Sequence, residues 1–270
     1  MKVAALACLV LGFGVGTLVA EAPKAPASAP ASRPATTSRP VEPADKAIPR
    51  GGLENPQKSW MDRHARLVER AKAGGINLYF VGDSITDGWQ GKGKAVWAKE
   101  FAPYGAGNFG IGGDRTQNVL YRLENGEFEG VTPKLVVLMI GTNNHGSNTA
   151  NEIAAGVKKI IETIQTKSPT TQVLLLAVFP RSPKPEDASR KKIEAINVLL
   201  APMGDGKKVH YLDIGKVFLE ADGTLSKEIM PDFLHLSEAG YQRWADAIRP
   251  KLREILGEPP ATAPATAPAK

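Results

Sequence analysis

A serine held between glycine and aspartate on one side and isoleucine and threonine on the other, in Gly82-Asp83-Ser84-Ile85-Thr86, follows directly on the apolar run Ile76 to Val81. A short apolar run ending in glycine reads as a buried strand, and open α/β folds take their ligands at the carboxyl ends of such strands. Ser84 is therefore the candidate nucleophile. A hydroxyl attacks a carbonyl only when a base removes its proton, and the oxyanion that forms needs donors. Asp232-Phe233-Leu234-His235 sets a carboxylate three residues before an imidazole. Within one turn, Asp232 can fix the His235 tautomer through Nδ1 and leave Nε2 to face Ser84. Asn143, in Gly141-Thr142-Asn143-Asn144, emerges after the apolar run Leu135 to Ile140. Its side-chain amide is a candidate oxyanion donor, as is the backbone N–H of Gly113 in Asn108-Phe109-Gly110-Ile111-Gly112-Gly113-Asp114.

Taken singly, each piece has a plainer reading. Gly-Asp-Ser can be a turn, Gly112-Gly113 can be backbone relief, and Asn143 can bond its own main chain. Asp232 and His235 can be a helix-start carboxylate and a half-buried histidine. A non-catalytic reading requires all of these at once, whereas acyl transfer explains the four together.

The ordered blocks Gly-Asp-Ser, Gly-Gly-Asp, Gly-Thr-Asn and Asp-x-x-His resemble those of the SGNH (GDSL) hydrolase family. Within that family, Asn108 to Asp114, Val119 to Glu127, Gly141 to Gly146 and Leu234 to Tyr241 are similar to the catalytic subunits of platelet-activating-factor acetylhydrolase. The likeness runs over roughly residues 52 to 256, and four ordered blocks are far more specific than one short motif. It implies Ser84 as nucleophile, His235 as general base and Asp232 as the residue that orients it. It also implies an oxyanion hole of Ser84 N–H, Gly113 N–H and the Asn143 side chain, a flavodoxin-like fold, a small acyl pocket and a homodimer. The stretch Gly91 to Lys94, after the nucleophile, differs from the mammalian subunits.

Apolar runs alternate with amphipathic segments, the pattern of a parallel sheet with helices on both faces. Strands are expected at Ile76–Val81, around Gly107–Phe109, and at Leu135–Ile140, Gln172–Val178 and Val209–Ile214. Helices are expected at Met61–Ala73, Arg115–Leu123, Asn151–Lys167, Glu186–Ala201 and Glu238–Leu256, the last capped by Ser237. The expected fold is an α/β class, three-layer α/β/α sandwich around a central, mostly parallel five-stranded sheet, in one domain over residues 51–256.

The ends read differently. Met1-Lys2 and the apolar stretch Val3 to Ala20, with Ala20-Glu21-Ala22 as a cleavage site, read as a signal peptide over residues 1–22. The competing reading is an uncleaved anchor, the one route to membrane contact. Residues 23–50 and 257–270, rich in Pro, Ala, Ser and Thr, read as extended tether and tail. Cys8, the one cysteine, lies inside the signal, so a mature exported chain has no thiol chemistry.

The net charge of +6 divides evenly: residues 23–50 carry five Lys/Arg against two Asp/Glu, and residues 51–256 carry 27 against 24. The folded part is close to balanced, which argues against a nucleic-acid surface. The basic triplet Arg190-Lys191-Lys192 reads as a solvated helix face. His64, His145, His210 and His235 lack the spacing of metal ligands, and there is no phosphate-binding loop, so no metal or cofactor is expected. Asp83, Trp89 and His145 are candidates for lining the pocket; for Trp89 a place in the core, and for His145 an exposed loop, are the competing readings. The expected activity is a secreted or periplasmic serine esterase acting on short, acetyl-type O-esters of carbohydrates or small molecules. A platelet-activating-factor-like phospholipid acetylhydrolase or lysophospholipase is second, and a non-catalytic secreted binding module is the alternative of another class.

Overall fold

In the computed structural model, which describes residues 41–259, five strands form one sheet. They are β1 (Leu78–Gly82), β2 (Ala106–Gly110), β3 (Leu135–Met139), β4 (Gln172–Leu176) and β5 (Val209–Leu212), in the order β2-β1-β3-β4-β5. Every neighbouring pair is parallel, so the sheet is wholly rather than mostly parallel. Seven α-helices are described: α1 (Lys58–Lys72), α2 (Ser84–Asp87), α3 (Lys94–Glu100), α4 (Thr116–Arg122), α5 (Ala150–Lys167), α6 (Ala188–Leu200) and α7 (Glu238–Leu256).

Alternate strand residues feed two apolar cores, because successive side chains of a strand point to opposite faces. On one face Tyr79, Val81, Val136, Leu138, Val173 and Leu175 pack with Leu67 of α1, Leu120 of α4, Val157 of α5 and Ile193 of α6. On the other, Leu78, Phe80, Val137, Met139, Leu174 and Leu176 pack with Ile85 of α2, Val96 of α3 and Trp244 and Ile248 of α7. This is the three-layer sandwich expected, and burial on both faces explains why the inner strands β1, β3 and β4 read as apolar runs. In α5 the buried residues Ile153, Val157, Ile160, Ile161 and Ile164 recur at helical spacing, and Thr149 and Glu152 close its start as a reciprocal capping box. Ser237 accepts from the Gly240 N–H at 3.1 Å and starts α7 where its sequence indicated.

Two expectations need correction. Trp89 does not wall a pocket: it is 1% exposed, with its ring centroid 4.5 Å from Tyr241 and 4.9 Å from Trp244 in the second core. An indole buries more apolar area there than at a wet rim. The tether expected to run to residue 50 is also too long. Residues 42–48 lie along α4 and α5: the Gln117 side chain donates to Glu42, Thr116 Oγ1 donates to Ala44 O at 2.7 Å, and the Ile48 N–H donates to Gln117 O at 3.1 Å. Ala44 is buried, over the spot where Gly156 has no Cβ. Pairing of backbone groups, rather than apolar content, holds this strap. Residues 1–22, read as a signal peptide and containing Cys8, residues 23–40 and the tail beyond residue 259 lie outside the described residues. No helix among the described residues is long and apolar enough to cross a membrane.

Gly82 ends β1 where α2 folds back closely. A Cβ there would lie 2.3 Å from Thr86 Oγ1 and 2.4 Å from the Met139 carbonyl. Because the backbone of β3 cannot yield, Gly82→Ala should destabilise the protein by about 1–3 kcal/mol. Urea unfolding of the variant beside wild type checks this, and an unchanged midpoint would mean that α2 is more loosely seated.

Candidate active site

Strand register sets the site. Gly82 pairs with Gly110 on one side and Met139 on the other, so the segments leaving β1, β2 and β3 start level. Ser84 is the first residue of α2, which begins two residues beyond Gly82. Its Oγ lies 2.9 Å from His235 Nε2, and His235 Nδ1 lies 2.6 Å from Asp232 Oδ2. The sequence separation of 151 residues between Ser84 and His235 is closed by these contacts. With Nδ1 protonated and donating to the carboxylate, Nε2 is an acceptor for the Ser84 hydroxyl.

Asp232 shapes its own turn as well as the ring. Its Oδ1 accepts from the Leu234 N–H at 3.1 Å and the His235 N–H at 2.7 Å. Burial alone would lift this carboxyl, but the hydrogen bonds from the His235 ring and from these two amides hold it below its ordinary value. It therefore stays an anion across the neutral range. Phe233, between the pair, adopts φ 58°, in the left-handed region that a bulky residue rarely enters. Its carbonyl accepts from the N–H of Ser182, itself at φ 70°, at 2.9 Å.

Behind these strained residues stands Arg190, donating to the carbonyls of Arg181 at 3.1 Å, Ser182 at 2.8 Å and Gly223 at 3.1 Å. Arg190 is buried, which corrects the reading of the basic triplet as a solvated face: it lies one turn before Ile193 on the same side of α6. Lys191 is the exposed member. Tyr241 of α7 donates to Ile85 O at 2.7 Å and ties the histidine side of the site to α2, which begins with Ser84.

Opposite stands the loop after β2. The Asp114 N–H donates to Ile111 O at 3.1 Å and Gly113 has φ 79°, which makes Ile111 to Asp114 a type II turn with glycine where a positive φ is required. A Cβ on Gly112 would lie 3.7 Å from the Ser84 Cβ, so this turn adjoins Ser84. Asn143 donates one N–H of its amide to Asp114 O at 2.9 Å, which fixes the plane and leaves the second N–H for a ligand. The Asp114 carboxylate is buried, accepting from Trp60 Nε1 at 2.7 Å and Arg122 Nε at 2.8 Å.

Of the residues expected to line the pocket, Asp83 does not. It is fully buried, its Oδ1 capping the Ile85 N–H at 2.9 Å and its Oδ2 without a partner. Burial pushes its carboxyl up to about 7, with Asp114 adding to the rise and the Ile85 amide and His235 acting against it. His145 is half-buried and braces the Asn143 loop: Nδ1 lies 2.8 Å from Thr142 O, and the Ser189 hydroxyl is 3.3 Å from Nε2. Burial, with Arg181 and Lys192 nearby, lowers its pKa. Arg181 steadies the same loop, donating to Thr142 O and Oγ1, both at 3.1 Å. Nothing in the local sequence marked Arg181, whereas the place of Arg190 three residues before Ile193, on the apolar face of α6, was a readable sign.

The profile of the GDSL-like lipase/acylhydrolase family matches residues 80–243, a span containing Ser84, Gly113, Asn143, Asp232 and His235. The chain is 38% identical over 201 residues to the platelet-activating factor acetylhydrolase IB subunit alpha2 of Rattus norvegicus, covering 74% of this chain and 86% of that one. It is 36% identical over 216 residues to the human subunit alpha1, covering 80% and 92%. In fold it is similar to a GDSL-like lipase from Bacteroides thetaiotaomicron, at TM-score 0.58, 20% identity and coverage of 74% and 98%. It is also similar in fold to an acetylxylan esterase from Geobacillus stearothermophilus, at TM-score 0.55, 21% identity and coverage of 68% and 96%. The chain belongs to the GDSL-like lipase/acylhydrolase family and is an ester-hydrolysing enzyme.

The buried Asp83 carries a pH signature. Its folded pKa is raised, so between 3.8 and about 7 the native state holds a proton that the unfolded chain has released. Stability falls as pH rises through that window. Asp83→Asn mimics the neutral form and keeps the cap, so it should flatten this fall, with an advantage over wild type on the order of a few kcal/mol above neutrality. Thermal melts from pH 4 to 8 check it; parallel curves for the two proteins would show that Asp83 is ionised throughout.

Proposed function

We propose that Ser84, His235 and Asp232 form the catalytic relay of a short-chain O-acylesterase, acetyl esters foremost, with Ser84 N–H, Gly113 N–H and Asn143 Nδ2 as the oxyanion hole. The observation that carries the reading is the continuous relay from Ser84 Oγ through His235 to an anionic Asp232, at 2.9 and 2.6 Å. His235 Nε2 takes the Ser84 proton as Oγ bonds to the ester carbonyl carbon, and the carbonyl π electrons move onto oxygen. The tetrahedral oxyanion is met by the three donors, placed before the reaction begins so that no reorganisation is needed. As the C–O bond to the alcohol breaks, His235 returns the proton to the leaving oxygen. Water then repeats the sequence on the acyl-enzyme, with His235 again the base, releasing the acid and restoring Ser84.

The leaving alcohol is proposed to be a carbohydrate or a similar small hydroxyl compound. The open side of the site supports this, since the side chains of His235 and Asp232 are 46% and 55% exposed and a bulky alcohol can depart past them. An exported location, read from residues 3–20, would bring the enzyme to acetylated polysaccharide. A phospholipid-type acetyl ester is the second reading, favoured by the 38% identity to a platelet-activating factor acetylhydrolase subunit. A homodimer, implied by the family resemblance, is part of the proposal.

Hydrolysis of p-nitrophenyl acetate should exceed that of the butyrate and octanoate, and Ser84→Ala should abolish it. Asn143→Ala should lower kcat by about 10²–10³-fold, and Asp232→Asn by about 10⁴-fold through the wrong histidine tautomer. A folded Asn143→Ala protein with full activity would remove that residue from the hole. Acetate release from acetylated xylan against an acetyl-glycerophospholipid separates the two leaving groups. Light scattering that finds only monomer rejects the dimer.

A further inference from the structure

We propose that Arg50, at the end of the N-terminal strap, is a positioning residue for the oxyanion hole: it grips the carbonyl of the Gly112–Gly113 peptide so that the N–H of that same peptide faces Ser84. The assignment rests on the esterase reading and adds to it a residue outside the four sequence blocks and outside the span of the family match.

The geometry is specific. Arg50 Nη2 donates to Gly112 O at 2.7 Å and lies 3.4 Å from Asp114 Oδ1. In a trans peptide the C=O and the following N–H point in opposite directions. Holding the Gly112 carbonyl toward Arg50 therefore turns the Gly113 N–H to the other side of the turn, where Ser84 lies against Gly112. The guanidinium also fills the space that a side chain on Gly113 would occupy, with Nη2 2.6 Å from an ideal Cβ. Glycine at 113 thus serves twice, by allowing φ 79° and by admitting Arg50 to the outer face of the turn.

The physical need is clear. A peptide between two glycines rotates with little steric resistance. In the rotated state the Gly112 carbonyl would face the site, presenting a negative dipole where a donor is required. A charge-assisted hydrogen bond to the carbonyl opposes that rotation and draws electron density from the amide, which strengthens its N–H as a donor. Arg50 is itself held from both sides. The Asp114 carboxylate lies beside its guanidinium, and the strap before it is fixed by the Ile48 N–H to Gln117 O and by Asn118 Nδ2, which donates to Ile48 O at 2.9 Å.

The test uses the full chain with Arg50→Ala and Arg50→Lys. Arg50→Ala should lower kcat on p-nitrophenyl acetate by about 10–10²-fold, less than loss of a donor outright, with KM nearly unchanged. Affinity for a trifluoromethyl ketone, which forms the tetrahedral adduct, should fall by the same factor. Arg50→Lys, which keeps one donor for the carbonyl, should recover most of both. In ¹⁵N-glycine-labelled protein the Gly113 amide proton should move upfield in Arg50→Ala and return in Arg50→Lys. This readout does not depend on turnover. If wild type hydrolyses no ester yet the Gly113 signal moves as described, the esterase reading fails and the positioning of the peptide stands. An unmoved Gly113 signal, or a loss of kcat shared equally by the Ala and Lys variants and matched by a fall in Tm, overturns the proposal.

Discussion

Arg122 is the interaction on which the rest of the site hangs. It is fully buried, and a guanidinium without water must have a partner at each donor. It donates to the Asp114 carboxylate at 2.8 Å, to Glu127, to Phe109 O at 3.0 Å and to Gly82 O at 3.3 Å. Those partners are the end of β1, the end of β2, the turn bearing Gly113 and the end of the helical segment that begins with α4. Burial opposes the charge, but the flanking carboxylates of Glu127 and Asp114 outweigh it and hold Arg122 as a cation. Glu127 is in turn bonded to His64 of α1 at 2.9 Å. Moving any one of these elements would leave a buried charge unpaired, so their relative positions are fixed far more tightly than apolar packing alone requires.

From this anchor the site divides into two halves with different means of support. On the side of Gly113 and Asn143, Asp114 acts through three of its groups: its amide closes the turn, its carbonyl orients Asn143 and its carboxylate meets Arg122, Trp60 and Arg50. On the histidine side the backbone itself is strained, with Phe233 and Ser182 both at positive φ, and Arg190 secures the surrounding carbonyls. Such strain persists only where neighbours over-determine the conformation. A buried arginine bound to main-chain oxygens supplies that on both sides, while Ser84 and His235 themselves stay partly exposed.

Much of this was legible in the chain. Three apolar runs became the inner strands β1, β3 and β4, where burial on both faces leaves no alternation to obscure them, while the edge strands β2 and β5 carry Asn108 and His210 and are only partly buried. The bounds of α7 follow from its Ser237 cap and coincide with the expected Glu238–Leu256. The meeting of Ser84, His235 and Asp232 was legible because Ser84 sits just beyond a strand and Asp232 and His235 shortly before the Ser237 cap, where local spacing carries information. What escaped was non-local. Arg50 meets its carbonyl across 62 residues, and the strap before it is held through backbone atoms that composition does not report. Trp89 follows Ser84 closely, yet whether it faces the pocket or the core depends on α7, far along the chain. Helices α2 and α3 were missed because each is too short for a periodic pattern to emerge.

The proposed mechanism turns on covalent acylation of Ser84, with His235 as the base that both forms and clears the ester. The most direct test is mass spectrometry of wild-type protein mixed with p-nitrophenyl acetate and acid-quenched on the millisecond scale, with peptide mapping of the adduct. One acetyl group per chain is expected, located on Ser84 and lost as the substrate is exhausted. Acetylation at another residue, or turnover with no adduct on Ser84 at any time, would contradict it.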